Sequence, residues 1–304
     1  MGCMRTFLTG ATGNVGRSVL KELVSRGHEV AALGRPGSQE LLGSRLVPGH
    51  LGLAEDLASE VEQADGIIHL ASPRTNDRRG VLHEDILGTG KLLDAWTNGN
   101  FVFASSQVVY GIPKDICREG SSPRSAGCWY DLAKIANEEL LSFTPITGAR
   151  RAAISIRMAL LFDNGPRAND RQFLAPIIEA CRMGITFTFE SEEKIETAGS
   201  SFVGGEDLGR AFVDALGIEA SGAYNVASGF CTWKELIRAI DRQLGTRSNL
   251  ALRPGGNAAA PNEMRMPQSM SKLDTTAFEE ATGFRPRQSL EELVARCVES
   301  EVSV

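Results

Sequence analysis

The stretch that constrains this chain most is Thr9-Gly10-Ala11-Thr12-Gly13-Asn14-Val15-Gly16. It follows the apolar run Thr6-Phe7-Leu8 and opens into a helical pattern with Val15, Val19, Leu20, Leu23 and Val24 apolar. Lacking a Cβ, Gly10 suits a tight strand-to-helix turn, Gly13 lets backbone approach a pyrophosphate, and Gly16 lets the new helix pack closely on a sheet. The free N–H groups of the helix start, with the helix dipole behind them, would face an anion. A glycine triplet alone marks only a turn. With a strand before it, a helix after it and a second strand over Glu29 to Leu33, it predicts a dinucleotide site formed by Gly10, Thr12, Gly13, Asn14, Val15 and Gly16.

Composition narrows the class. The chain has 304 residues, 42% of them hydrophobic, enough for one large domain or two interlocked ones. A formal net charge of -6 with scattered basic residues gives no footprint for nucleic acid or an anionic membrane, so a small-molecule ligand is expected. No apolar run is long enough to span a bilayer and the N-terminus shows no signal-peptide pattern, which predicts a cytoplasmic protein. The six cysteines form no C-x-x-C pair and the four histidines no ligand spacing, so reduced thiols and no metal are expected. His69, inside the apolar run Ile67 to Leu70, reads as a strand residue.

Apolar runs at 5–9, 29–33, 45–47, 66–70, 100–104 and 153–157 alternate with helical patterns near 13–26, 54–63, 80–98 and 129–143. That alternation predicts an α/β fold with a doubly wound parallel sheet of Rossmann type. The second strand ends in Gly34-Arg35, beside the place where an adenine ribose lies in such a fold. A carboxylate there selects NAD; here the acid is absent, Arg35 supplies a cation and Ser38 a hydroxyl, so NADP(H) is expected ahead of NAD(H).

The chemistry is carried further along. After the fifth strand comes Ser105-Ser106-Gln107-Val108-Val109-Tyr110-Gly111, and later a helix starting at Cys128-Trp129-Tyr130-Asp131-Leu132-Ala133-Lys134. Tyr130 and Lys134 are one helical turn apart on one face, where an ammonium stabilises a phenolate and the tyrosine can exchange a proton with a carbonyl or alcohol oxygen. Ser106, at a strand's carboxyl end, is placed to hold that oxygen. The ordered set Gly-x-x-Gly-x-x-Gly, Ser-Ser-x-x-Val-Tyr-Gly and Tyr-x-x-x-Lys resembles the extended short-chain dehydrogenases/reductases, also called the NAD-dependent epimerase/dehydratase family.

The resemblance implies Ser106 as the oxygen-holding serine, Tyr130 as the acid/base and Lys134 as its modifier and a ligand of the nicotinamide ribose. It adds His50, Leu51, Leu70, Ala71, Ser72, Ser105 and Met158 on the cofactor side, with His50 standing where an acidic residue is usual. Tyr110 reads as structural. The likeness continues through 201–216, where Gly204 replaces the usual histidine, through 222–226 and through 282–290. It implies a nucleotide-binding core over 1–162 with 200–227 returning to it, a small substrate-binding region over 163–199 and 228–304, and a homodimer through the helices near 80–98 and 129–143.

Substrate signals are thinner. Leu160 stands where nucleotide-sugar enzymes carry an asparagine, and an apolar side chain cannot replace an amide. With Val108, Trp129, Leu160 and Phe162 near the opening and Gln107 as a polar contact, the expectation is an NADP(H)-dependent carbonyl reductase or alcohol dehydrogenase acting on an apolar or ring ketone. The alternatives are a nucleotide-sugar epimerase, dehydratase or 4-ketoreductase, and a non-catalytic NADP-sensing or partner-binding protein. Arg74 reads as an exposed loop arginine or as a contact for an acidic substrate group, and the segment 163–199 as a lid or a solvated excursion.

Overall fold

The computed structural model describes residues 2–35, 41, 43–51, 57–73, 77–113, 115–121, 127–163, 173–255 and 260–302. The order of elements begins β1 (Arg5–Thr9), α1 (Asn14–Ser25), β2 (Glu29–Gly34), β3 (Arg45–Pro48), α2 (Ala58–Glu62) and β4 (Gly66–His69). A helical run follows as α3 (Arg78–Gly80), a π-helical stretch over Val81–Ile86 and α4 (Leu87–Ala95). Then come β5 (Asn98–Ser106), a 3-10 turn over Gln107–Tyr110, α5 (Trp129–Phe143) and β6 (Ala149–Met158).

These strands, with β10 (Gly222–Val226), form a seven-stranded sheet in the order β3-β2-β1-β4-β5-β6-β10. Every pairing in it is parallel. This is the doubly wound sheet expected from the alternating pattern. Strand order reverses between β1 and β4, and the crevice at their carboxyl ends is the ligand position such sheets provide. The glycine turn, the Leu70–Ser72 segment and the end of β5 all open onto that edge.

Both faces of the sheet are covered. On one, Val19, Leu20 and Leu23 of α1 join Leu208 and Phe212 of α8 (Gly205–Ala215) over Ile154 and Ile156. On the other, Val61, Leu92, Leu93, Trp96 and Leu141 pack over Phe7, Ile67 and Phe101. Strands buried on two faces need near-continuous apolar sequence, which is why they read as runs rather than as alternation.

The remaining elements build a cap. β7 (Leu160–Phe162), β11 (Gly229–Thr232) and β14 (Met270–Ser271) pair with β9 (Gly199–Gly204), so β9 belongs to a second sheet, whereas α8 packs on the first, β10 extends it, and Phe278 of α10 (Thr276–Thr282) meets Tyr224 of β10 in its core. A third sheet joins β12 (Leu250–Leu252), β8 (Thr186–Phe189) and β13 (Glu263–Arg265). With α6 (Leu174–Arg182) and α9 (Trp233–Leu244) they enclose their own core of Phe162, Ile177, Phe187, Phe189, Phe202, Trp233 and Ile237. The acidic run at 190–193 has a local cause: the Ser191 side chain accepts from the Lys194 N–H at 3.2 Å and Glu192 and Glu193 occupy the first turn of α7 (Glu192–Thr197). At Gly204 the space of a side chain is taken by Gln288, whose Oε1 accepts from the Asp207 N–H at 3.1 Å.

Candidate active site

The glycine turn has the geometry that a dinucleotide requires. Gly10 has φ +74°, and a Cβ there would lie 2.7 Å from the Ala71 nitrogen. A Cβ on Gly16 would overlap the Gly10 carbonyl. Gly13, by contrast, would meet only the Gly10 oxygen at 3.1 Å, so the protein's own packing tolerates more there than a ligand's close approach would. No side chain caps α1 at Gly13, and the buried Asn14 has a side-chain Nδ2 with no protein partner. Arg17 arches back over the turn, donating to Thr12 O at 3.0 Å and Asn14 Oδ1 at 3.3 Å. Uncapped helix N–H groups, an orphan amide and a guanidinium around a tight turn fit a diphosphate.

Around this turn, Arg35 is exposed directly after β2 and Ser38 lies outside the described residues. His50 is exposed after β3, whereas Leu51 is buried against Gly88 of α4. The Leu70 N–H donates to Thr9 O at 3.3 Å and the Ala71 N–H to Thr9 Oγ1 at 3.1 Å, which ties the segment after β4 to the turn. Ser72 donates its hydroxyl to the Asp85 carboxylate. Thr12 is exposed and Val15 half-buried, and Arg74 lies outside the described residues.

The second half of the site is set by β5 and α5. Ser106 ends β5, pairs in register with Met158 of β6, and its Oγ accepts from the Val108 N–H at 3.4 Å. α5 packs against the turn that follows Ser106. Lys134 is 3% exposed, with Nζ 4.9 Å from the Phe103 ring centre and 5.3 Å from that of Tyr130, while Tyr130 is 38% exposed. A buried cation beneath a phenol that remains open is an arrangement for proton exchange.

Several residues have other tasks. Ser105 is wholly buried and donates to Glu138, which is clamped by Arg157 at 2.7 Å. Tyr110 donates to Asn225 Oδ1 at 2.8 Å and accepts from Arg157 at 3.0 Å; burial pushes its phenol up. Phe162 is fully buried and stacks on Phe202 at 5.3 Å, so its role is in the core of the cap. Val108, Trp129, Met158 and Leu160 are half-buried, and Gln107 donates to Ser200 Oγ of β9 at 3.0 Å, joining the reaction side to the cap. His69 is enclosed, and burial pushes it down to about 3, a neutral strand residue. Among the described residues no group of three or more His, Cys, Asp or Glu is placed to hold a metal, and no helix is long and apolar enough to cross a membrane. Sequence reasoning passed over Glu138, Asn137 and Asp85. Asn137 and Glu138 left a signal there, three and four residues past Lys134 on the buried face of α5.

A doubly wound sheet with a phosphate turn at its switch point and a serine, tyrosine and lysine beside it defines a dinucleotide-dependent class of protein. The NAD dependent epimerase/dehydratase family model matches residues 6–227, and the chain belongs to that family, whose members are NAD(P)-dependent and include oxidoreductases. Among curated relatives, the chain is 27% identical over 185 residues to a decarboxylating sterol-4-alpha-carboxylate 3-dehydrogenase of Dictyostelium discoideum, covering 55% of this chain and 56% of that one. It is 28% identical over 193 residues to a 4-hydroxy-2-methyl-3-oxo-4-farnesyl-3,4-dihydroquinoline-1-oxide ketoreductase of Stigmatella aurantiaca, covering 59% and 55%. The match thus spans about half the length of these relatives. In fold it resembles the UDP-glucose 4-epimerase of Thermotoga maritima, with a TM-score of 0.75, 20% identity and 99% of both chains covered.

Proposed function

We propose that this chain is an NADP(H)-dependent oxidoreductase that reduces the carbonyl of an apolar or ring ketone, with Tyr130 as general acid/base. The observation that carries the reading is the exposed Tyr130 phenol above the buried Lys134 ammonium. The Ser106 hydroxyl holds the substrate oxygen while Tyr130 passes it a proton, and Lys134 steadies the negative charge left on the phenol. Hydride is what the cofactor supplies when bound. The Gly10–Gly16 turn receives the diphosphate, and Arg35, with no acid at Gly34, receives a 2′-phosphate.

Half-buried Val108, Trp129 and Leu160 support an apolar substrate, which Gln107 orients and the cap covers. The names of the two curated relatives, a sterol carboxylate dehydrogenase and a farnesyl-bearing dihydroquinoline oxide ketoreductase, point the same way. Leu82, Leu87, Leu132 and Phe143 stay exposed along the π-helical stretch, α4 and α5, which supports a homodimer through these helices. The test is NADPH oxidation followed by absorbance over apolar ring ketones, aldehydes and nucleotide-linked keto sugars, with NADH and Tyr130→Phe as controls. Turnover of a ring ketone that Tyr130→Phe abolishes is the expected result; turnover of keto sugars alone, or none, overturns the reading.

A further inference from the structure

A continuous buried chain of hydrogen bonds runs beneath the site and ends on Asp85. Thr89 gives its hydroxyl proton to the backbone oxygen of Asp85 at 2.6 Å, so it can only accept from His69 Nε2 at 2.9 Å. That makes Nε2 the protonated nitrogen of the neutral ring and leaves Nδ1 to accept from Thr9 Oγ1 at 2.6 Å. Thr9 in turn accepts from the Ala71 N–H. The Asp85 side chain is 1% exposed. One oxygen accepts from Ser72 of the cofactor segment and the other from Asn137 Nδ2 of α5 at 2.7 Å.

Neither contact brings a cation. Among the described residues no Lys, Arg or His lies within ion-pair reach of Asp85, and no carboxylate within reach of Lys134, although both are buried. Isolated buried charges are costly, and two of opposite sign on adjoining elements relieve each other. Asn137 follows Lys134 by one turn on the same face of α5, so the group that bonds Asp85 is the neighbour of the cation. His69 feels both charges, with opposite effect. The other charged pair against this layer, Glu138 and Arg157, is already matched within itself.

We infer that Asp85, on the π-helical stretch, is the counter-charge of Lys134 and a positioning residue for the reaction, coupling the cofactor segment at Ser72 to the catalytic helix at Asn137. The catalytic part of this inference rests on the reading above; the charge coupling does not.

The experiment is a double-mutant cycle of Asp85→Asn and Lys134→Met, read by thermal unfolding, by NADPH fluorescence titration and, where turnover is found, by kcat and KM. Asp85→Asn keeps shape and bonding, because Asn137 can flip its unpartnered Oδ1 toward the new amide while Ser72 donates to the remaining oxygen. The Asn137 Nδ2 that then turns away loses its partner equally in both backgrounds, so the cycle isolates the charge. The expected result is a loss of about 4 °C in Tm and roughly tenfold weaker NADPH binding for Asp85→Asn in the natural background, and a rise in Tm when the same change is made beside Lys134→Met. An equal loss in both backgrounds would mean a bonding role only and overturn the inference. Should Lys134→Met fail to fold, Lys134→Gln takes its place. Absence of turnover in every protein would overturn the proposed reaction and leave the cycle readable.

Discussion

Lys134 holds its ammonium 5.3 Å from the centre of the Tyr130 ring, the lysine sealed from solvent and the tyrosine open to it. The helix supplies this relation, since residues four apart share a face, and Phe103 of β5 closes the cation in from beneath. If the pair works as proposed, its members fail differently. Tyr130→Phe should reduce kcat by a factor on the order of 10² to 10⁴ and leave NADPH affinity nearly unchanged. Lys134→Met should lower both. Steady-state kinetics with fluorescence titration of NADPH separates the two, and equal loss of affinity in both variants would refute the division of labour.

The glycine turn gives a paired test in which packing and ligand approach can be told apart. A methyl at Gly16 would drive into the Gly10 carbonyl, a backbone atom with nowhere to move, so Gly16→Ala should lower Tm as well as cofactor binding. Gly13→Ala meets one oxygen at 3.1 Å and should fold with nearly natural stability while binding NADPH at least about tenfold more weakly. Circular dichroism melts beside the titration decide it. A Gly13→Ala protein that binds normally would remove the diphosphate from this turn.

The features most legible in the sequence are those that local physics determines. The glycine spacing between a strand and a helix, the doubly apolar strands, and a tyrosine and lysine one turn apart all act over a few residues. What stayed hidden depends on partners far along the chain. Asp85 takes its importance from Asn137, 52 residues away, and from a π-helical stretch that no propensity signals. Ser105 looked like a neighbour of the cofactor until Glu138, held by Arg157, claimed its hydroxyl. Phe162 is one residue in a short apolar strand, and only the pairing of β7 with β9 turns it into the cap's core beside Phe202.

Cofactor choice should turn on Arg35. It is exposed after Gly34, and no carboxylate stands in the sequence position that would repel a phosphate. Arg35→Asp should move the ratio of NADPH to NADH affinity toward NADH by at least roughly tenfold, by losing a charge-assisted contact and adding repulsion. An unchanged ratio would mean that the 2′-phosphate is read elsewhere.

Association should follow the exposed apolar side chains. Leu87 is 53% and Phe143 80% exposed on helices that flank one another. Replacing Leu132 and Phe143 together by Glu should convert a dimer to a monomer in light scattering after size-exclusion chromatography, without loss of the far-ultraviolet helix signal. A natural chain that runs as a monomer at tens of micromolar would end the proposal.

His69 makes stability depend on pH in a defined direction. Burial holds it at about 3 in the folded chain, against 6.5 for a free imidazole, so the unfolded chain binds the extra proton between those values. Stability is therefore full above about pH 6.5 and falls as the pH drops toward 3. Between pH 7 and pH 5 the loss from this one ring is about 2 kcal/mol. His69→Gln removes the titrating group while leaving an amide to bridge Thr9 and Thr89, so the variant should start from lower stability at pH 7 and lose less on acidification. Urea unfolding at the two pH values measures both slopes. Parallel slopes for the two proteins would place the acid sensitivity on other groups, His28 among them, whose imidazole burial also pushes down.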